Sequence, residues 1–324
     1  MTAEPIRLAG ARALVTGASG FIGRRLCRRL AAAGARVHGS SRTAELAGDE
    51  LAGRSTGDLA DPGFARRLVE EARPDLLFHL ASRVTGSREP EAVLPTFQAN
   101  LASTVHLLMA AREAGCRRLV LAGSMEESEP APGGAPAVPA SPYAAAKGAA
   151  AAYAAMFHAL YGLPVVTARI FMVYGPGQRD LEKLVPYTVL ALLRGERARF
   201  SSGRRPVDWI YVDDVVDGLI ALATAPGIAG ERLDLGSGEL TTVREVVERL
   251  AAIAGPAAAA AGLAFGELAD RPLEPSPGAA VERTRELTGW RPAVGLDDGL
   301  RRTFEWYREA LREGRLGEPP PATG

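Results

Sequence analysis

Gly17-Ala18-Ser19-Gly20-Phe21-Ile22-Gly23 is the stretch from which the fold is read. It follows a compact apolar run, Ala11 to Thr16, and opens a helical pattern from Phe21 to about Ala33. An apolar run that ends in glycine suits a strand buried on both faces, as in a parallel sheet. Strand, glycine turn and helix, in that order, are the context in which glycine spacing signals a dinucleotide-binding turn. Gly17 permits the tight turn, Gly20 lets backbone approach a pyrophosphate, and Gly23 lets the helix pack closely on the strand. The helix N-terminus, with Ser19, Phe21 and Ile22 around it, then faces the phosphates.

The strands that follow extend this reading. Ala35 to Ser40 is the second strand, and its end reads Val37-His38-Gly39-Ser40-Ser41-Arg42, with no acid for a free ribose 2′-hydroxyl. Ser41 and Arg42 suit a 2′-phosphate, so the cofactor expected first is NADP, with NAD as the alternative. Thr56-Gly57-Asp58-Leu59 ends a third strand. Asp58 is either an acceptor for the adenine amino group or a turn aspartate before the helix at Pro62. Leu76 to Leu80 is the fourth strand, and Leu80, Ala81 and Ser82 line the cofactor at its carboxyl end. A long helix is expected from Thr96 to Ala114, with Asn100 polar among apolar neighbours. Arg118 to Ala122 is the fifth strand and delivers Gly123-Ser124-Met125-Glu126-Glu127 to the same sheet edge. Val165 to Phe171 is the sixth. Strands alternating with helices imply a parallel sheet covered on both faces.

A Pro-, Gly- and Ala-rich loop, residues 128–141, leads into Ser141-Pro142-Tyr143-Ala144-Ala145-Ala146-Lys147. Ser141 is a good N-cap, Pro142 suits the first helical position, and alanine propagates the helix. Tyr143 and Lys147, four apart, share one face. An ammonium and a helix N-terminus beside a phenol both lower a pKa that starts at about 10. Such a tyrosine exchanges protons near neutral pH. The chain contains 38 Lys+Arg, yet only two are lysines, Lys147 and Lys183. Where arginine is the rule, a lysine beside a tyrosine is worth notice.

The totals exclude several classes. With 38 basic and 38 acidic residues, no global field recruits nucleic acid or an anionic membrane. No apolar run approaches the roughly 20 residues that span a bilayer, and no signal peptide is expected from residues 1–5. Cys27 and Cys116 read as small buried hydrophobes of a reduced, cytoplasmic protein, and the four histidines form no metal spacing.

The later chain divides the molecule. Residues 1–178, with part of 205–240, form the dinucleotide-binding domain; 179–204 and 241–313 form a smaller lobe; 314–324 are expected to be a disordered tail.

A glycine turn, a serine after strand five and a Y-x-x-x-K helix occur in that order. With them come His79-Leu80-Ala81, Tyr174-Gly175-Pro176-Gly177-Gln178, Asp208-Trp209-Ile210-Tyr211-Val212-Asp213-Asp214-Val215 and Thr288-Gly289-Trp290-Arg291-Pro292. The chain resembles the extended short-chain dehydrogenase/reductase family, in its nucleotide-sugar branch, over nearly its whole length. The resemblance implies an α/β fold: a Rossmann-type doubly wound parallel sheet with a smaller C-terminal α/β substrate-binding lobe. It implies Tyr143 as general acid/base, Lys147 holding the nicotinamide ribose, and Ser124 bonding the reacting substrate oxygen. It places Asn100 near the active site and Arg271 on the substrate diphosphate. It also implies a homodimer built on the helix from Thr96 and the Tyr143 helix. Two positions depart from the family pattern: Met172 replaces an asparagine and Val207 an arginine, so Arg179, Arg204 and Arg205 become candidates for the phosphates.

Residues 123–127 discriminate among reactions. In similar 4,6-dehydratases an acid and a glutamate follow the serine. Glu126 occupies the glutamate position, but Met125 occupies that of the acid, and a thioether donates no proton. The Gly-Ser-x-Glu-Glu run is similar to that of 4-keto sugar nucleotide reductases. The expectation is therefore NADPH-dependent reduction of a nucleotide-linked 4-keto-6-deoxy sugar. The alternative is a redox-neutral 4-epimerase or 4,6-dehydratase of the same fold. A more remote one is a catalytically silent NADP-binding sensor.

Overall fold

Apolar runs separated by amphipathic helices build a seven-stranded parallel sheet. The structure, a computed structural model, describes residues 4–43, 48–127, 138–256, 262–273 and 276–316. In chain order the strands are β1 (Arg12–Thr16), β2 (Arg36–Ser41), β3 (Leu51–Thr56), β4 (Leu76–His79), β5 (Arg118–Ser124), β6 (Val165–Ile170), β7 (Met172–Tyr174), β8 (Ala198–Phe200), β9 (Pro206–Tyr211), β10 (Arg232–Leu235), β11 (Leu240–Thr242) and β12 (Leu263–Phe265). The helices are α1 (Phe21–Ala32), α2 (Pro62–Ala72), α3 (Val93–Thr96), α4 (Ser103–Glu113), α5 (Pro142–Tyr161), α6 (Leu184–Arg194), α7 (Val212–Thr224), α8 (Val243–Ala254), α9 (Val281–Thr288) and α10 (Leu296–Arg312). The main sheet runs β10-β6-β5-β4-β1-β2-β3. The order in which strands are added reverses between β1 and β4, where dinucleotide sites form at strand carboxyl ends.

Side-chain alternation splits the core into two layers. Ala13, Val15, Leu76, Phe78, Val120 and Ala122 pack on the layer that holds Leu26 and Leu30 of α1 and Leu219 of α7. Leu14, Leu77, Leu119 and Leu121 pack on the other, with Leu68 of α2, Leu107 of α4 and Ala154 of α5.

The helix expected over Thr96–Ala114 is not one α-helix. A π-turn over Phe97–Ala102 joins α3 to α4. The hydroxyls of Ser103 and Thr104 donate to Ala99 O and Asn100 O, each at 2.7 Å. Such back-bonding competes with the regular ladder, and π-turns concentrate at functional sites.

Beside the main sheet lie the pair β8–β12 and the three-stranded set β11-β9-β7. Residues 279–294, assigned by sequence to the lobe, are tied back by three buried aspartates. Asp208 accepts N–H bonds from Ser237 at 2.6 Å, Gly238 at 2.9 Å and Ala279 at 3.0 Å. Asp234 accepts from Ala280 N–H at 2.8 Å while holding Arg169 through two bonds of 2.7 Å. Asp214 accepts from Ala293 and Val294, both at 3.0 Å. At the other end Ile6 is buried and donates its N–H to Thr224 O at 3.0 Å. Of the expected C-terminal tail, 317–324 lie outside the described residues, as do 128–137 of the loop before α5. No helix of the described residues is long and apolar enough to cross a membrane.

Removing one partner of a buried ion pair strands the other in a poor solvent. Asp234→Asn leaves Arg169 without its bidentate carboxylate and is expected to lower unfolding stability by about 3–5 kcal/mol. Urea denaturation followed by circular dichroism measures it.

Candidate active site

The glycine turn is shaped by close approach. Gly17 has φ +69°, and a Cβ there would lie 2.8 Å from Ala81 N. A Cβ at Gly23 would overlap the Gly17 carbonyl oxygen. Helix α1 starts from Gly20 with no side-chain cap. Its first amides therefore lack an internal partner and suit a pyrophosphate. Ser19, Phe21 and Ile22 are partly exposed around the turn, and these features fit a dinucleotide.

At the end of β2, Ser41 is buried and its hydroxyl donates to Thr43 O, whereas Arg42 is exposed. Asp58 Oδ1 accepts Ala60 N–H at 2.9 Å, the bond of a turn aspartate, and Leu59 packs between α2 and α4.

A directional chain of hydrogen bonds fixes the neighbouring strand ends. Ala81 N–H donates to Thr16 Oγ1 at 3.2 Å, and Thr16 Oγ1 lies 2.8 Å from His79 Nδ1. His79 Nε2 lies 3.0 Å from Thr104 Oγ1, which itself donates to Asn100 O. Because Thr104 spends its hydrogen on Asn100, His79 Nε2 carries the proton and Nδ1 accepts from Thr16. Burial, and secondarily the charge of Lys147, pushes His79 down to about 3, so the ring stays neutral. Asn100 is buried with its side chain occupied: Oδ1 accepts from Ser82 Oγ at 3.0 Å and Arg83 N–H at 2.7 Å, and Nδ2 donates to Arg83 O at 3.0 Å. Its polar groups hold the loop after β4, which gives it a positioning part rather than an open face toward substrate.

Helix α5 begins as its sequence dictates. Ser141 Oγ accepts Ala144 N–H at 3.1 Å and Pro142 occupies the first turn. Tyr143 is buried, and the hydroxyls of Ser124 and Ser82 both interact with its phenol oxygen. Lys147 is buried too, and its Nζ donates to Ala122 O at 2.7 Å, 5.9 Å from the Tyr143 ring centre. The expected lowering of the tyrosine does not occur in this state. Burial pushes Tyr143 up, the Ser124 hydroxyl pulls against it, and Glu126 and Glu127 add to the rise. Spacing put an ammonium on the right face, but desolvation of the phenolate outweighs it. Lys147 is itself pushed down to about 8 by burial, with Glu127 opposing.

Glu126 is partly exposed, and its N–H donates to Ser124 Oγ at 3.2 Å. Glu127 was not singled out by sequence reasoning, yet it is buried and accepts Ser124 N–H at 2.7 Å. Met125 is buried under the loop, its N–H donating to Ile170 O at 3.0 Å.

The substrate candidates scatter more widely. Arg179, Arg204 and Arg271 are exposed and Arg205 is half-buried. Ser202 donates its N–H to Asp270 at 3.0 Å, which draws the Arg204 and Arg271 segments together. Arg271 packs against Gly86, and Arg88 donates to Pro272 O at 2.6 Å, so this segment meets the loop held by Asn100. Val207 is buried in the core.

A dinucleotide turn, a serine and a Tyr–Lys helix at one sheet edge define an NAD(P)-dependent enzyme of the extended short-chain dehydrogenase/reductase type. Residues 13–236 match the model of the NAD dependent epimerase/dehydratase family, and the chain belongs to that family. It is 35% identical to UDP-glucose 4-epimerase of Mycolicibacterium smegmatis, covering 92% of this chain and 98% of that one. It is 33% identical to dTDP-glucose 4,6-dehydratase of an Actinoplanes species, covering 82% of each. Among solved structures, Thermus thermophilus UDP-glucose 4-epimerase in complex with NAD superposes with a TM-score of 0.79 at 30% identity, covering 92% of this chain and 99% of that one.

His79 also sets a pH dependence. Between about 6.5 and about 3 the unfolded chain binds a proton that the fold refuses. Stability contributed by the neutral ring is complete above 6.5 and is lost as pH falls, by up to about 1.4 kcal/mol per pH unit. Urea midpoints at pH 7 and pH 5 should show this loss, and His79→Gln should flatten it.

Proposed function

We propose that the protein is a redox-neutral 4-epimerase of a nucleotide-linked hexose, with a UDP-sugar as the first substrate to test. One observation carries the reading. Ser124, Tyr143 and Lys147 stand at the dinucleotide edge with a buried thioether, Met125, where a dehydratase of this kind needs an acid. Loss of water requires a second proton donor, whereas epimerisation at C4 requires one group to take and return a proton. The similarity to a UDP-glucose 4-epimerase over 98% of its length supports the same order. The 4-ketoreductase favoured by sequence alone thus moves to second place.

Gly17, Gly20 and Gly23 would hold the pyrophosphate, and Lys147 the nicotinamide ribose. When bound, the nicotinamide supplies the acceptor and donor of the C4 hydride. Tyr143, once its phenol is ionised in the loaded site, takes the proton of the C4 hydroxyl as the carbonyl forms and returns it when the opposite face is reduced. Ser124 donates to the same oxygen and offsets its developing charge. Ser82, held by Asn100, keeps a second hydroxyl on the phenol. Arg204, Arg205 and Arg271 are proposed for the diphosphate, in place of an arginine at the buried Val207.

One observation favours the second reading, NADPH-dependent reduction of a 4-keto-6-deoxy sugar nucleotide. The end of β2 has Ser41 and Arg42 where a free 2′-hydroxyl would want an acid. The two readings separate in one assay. Epimerisation is expected to interconvert UDP-glucose and UDP-galactose at unchanged mass, without added reductant. Consumption of NADPH with a 4-keto-6-deoxy sugar nucleotide, and no interconversion, would instead establish the reductase. Tyr143→Phe should lower either rate by at least about a hundredfold.

The same helices carry an uncovered apolar face. Val93, Leu94, Phe97 and Met109 are exposed on α3, the π-turn and α4, and Tyr153 and Leu160 on α5, with Leu94 and Leu160 at 69% and 68%. A second copy of this chain is the proposed occupant, through a four-helix contact. Sedimentation should give twice the chain mass, and Leu160→Arg should return it to one.

A further inference from the structure

We propose that Arg88 and Gly86 are positioning residues for a substrate diphosphate: they clasp the segment 268–273 and hold the Arg271 guanidinium against the loop that follows β4. Two contacts join the loop and the segment, and they run in opposite senses. Arg88 Nη2 donates to Pro272 O at 2.6 Å, across 184 positions of sequence. In return the guanidinium of Arg271 lies on the backbone of Gly86, where a Cβ would overlap Nη1 and stand 3.2 Å from Cζ. Gly86 has no positive φ, so its backbone does not itself demand glycine. The side chain it lacks is what makes room for the arginine.

Both sides of the clasp are anchored. Asn100 fixes the loop through Ser82 Oγ, Arg83 N–H and Arg83 O. Further along, Ser87 N–H donates to Thr85 Oγ1 at 3.1 Å and Glu89 N–H to Ser87 Oγ at 3.3 Å. The segment is tied to β8: Glu267 and Leu268 donate their N–H groups to Phe200 O, each at 3.1 Å. Asp270 accepts Ser202 N–H at 3.0 Å and the Ser202 hydroxyl at 2.9 Å, which occupies the carboxylate next to Arg271 in sequence. Pro272 restricts the residue before it to extended backbone. Arg271 thus stands between a residue held from behind by Ser202 and one held from ahead by Arg88. An arginine on an exposed segment has many rotamers to lose on meeting a ligand, and one already placed loses fewer. The clasp stands on these contacts alone. Its use for a diphosphate rests on the proposed function, which assigns Arg271 to that group.

UDP is the probe, with its affinity measured by titration calorimetry. Arg88→Met keeps the length of the side chain but removes the donor. In Gly86→Ala the added methyl group meets only the far end of a flexible side chain, so both proteins are expected to fold. Each change should weaken UDP binding about two- to tenfold. Arg88→Lys keeps one donor for Pro272 O and should restore most of the affinity. In an Arg271→Met background neither change should weaken UDP further, because both act through Arg271. Equal losses in the two backgrounds would overturn the inference, as would Arg88→Met and Gly86→Ala proteins that bind UDP as wild type does. Hydrogen exchange of peptides over 82–89 and 266–273, without ligand, reads the clasp directly. Exchange should rise on both sides in Arg88→Met, and an unchanged rate would reject the contact. Faster exchange, together with an Arg271→Met protein that binds UDP normally, would leave the clasp standing and reject its use for the diphosphate. If the site epimerises UDP-glucose, KM rises in Arg88→Met with kcat unchanged. UDP binding weakened only through Arg271, in a protein that turns over no UDP-sugar, would keep the clasp and reject the reaction.

Discussion

A backbone carbonyl, that of Gly17, lies where a side chain at position 23 would have to be. This contact sets the distance between β1 and α1 and so aims the first amides of the helix at the sheet edge. Other parts of the cleft are positioned from it. Gly17 abuts Ala81, and Ala81 bonds Thr16. Through His79 and Thr104 the same chain of bonds reaches the π-turn that places Asn100. A dinucleotide turn and a loop facing Tyr143 are thereby fixed to each other by buried side-chain hydrogen bonds.

The site also concentrates buried charge. Tyr143, Lys147 and Glu127 are nearly inaccessible to water, and burial works against the charged form of each. What keeps the arrangement viable is local compensation: the Ser124 hydroxyl for the phenol, a backbone carbonyl for the ammonium, and a backbone amide with Arg232 for the carboxylate. In a medium of low polarisability, such directed contacts act more strongly than they would in water.

Much of this was legible in the residues, for identifiable reasons. Strands buried on both faces read as continuous apolar runs, so β1, β4, β5 and β6 were visible. Ser141-Pro142 announced α5 through local cap chemistry. The π-turn was not visible, because it depends on Asn100 meeting Ser82 and Arg83, residues joined only by the fold. The pair β8–β12 joins short segments far apart in sequence. Glu127 looked like one of two acids at a loop start, and nothing in the run from 123 to 127 told that the second folds inward. The direction of the Tyr143 shift failed for a related reason: spacing gives neighbours, not solvation. Met125 argued against a dehydratase but did not separate reduction from epimerisation; the likeness to a UDP-glucose 4-epimerase, which no single residue carries, changed their order.

The Arg169–Asp234 pair has a consequence for how the chain is made. Strand β6 leaves the ribosome first, and its arginine meets its aspartate only 65 residues later. At about 5–20 residues per second the sheet spends several seconds with an unfinished border. During that interval a guanidinium sits on the border strand of the main sheet, where charge disfavours pairing with another chain. The charge that is matched inside the finished protein is thus left unmatched on an open sheet border while the chain is being made.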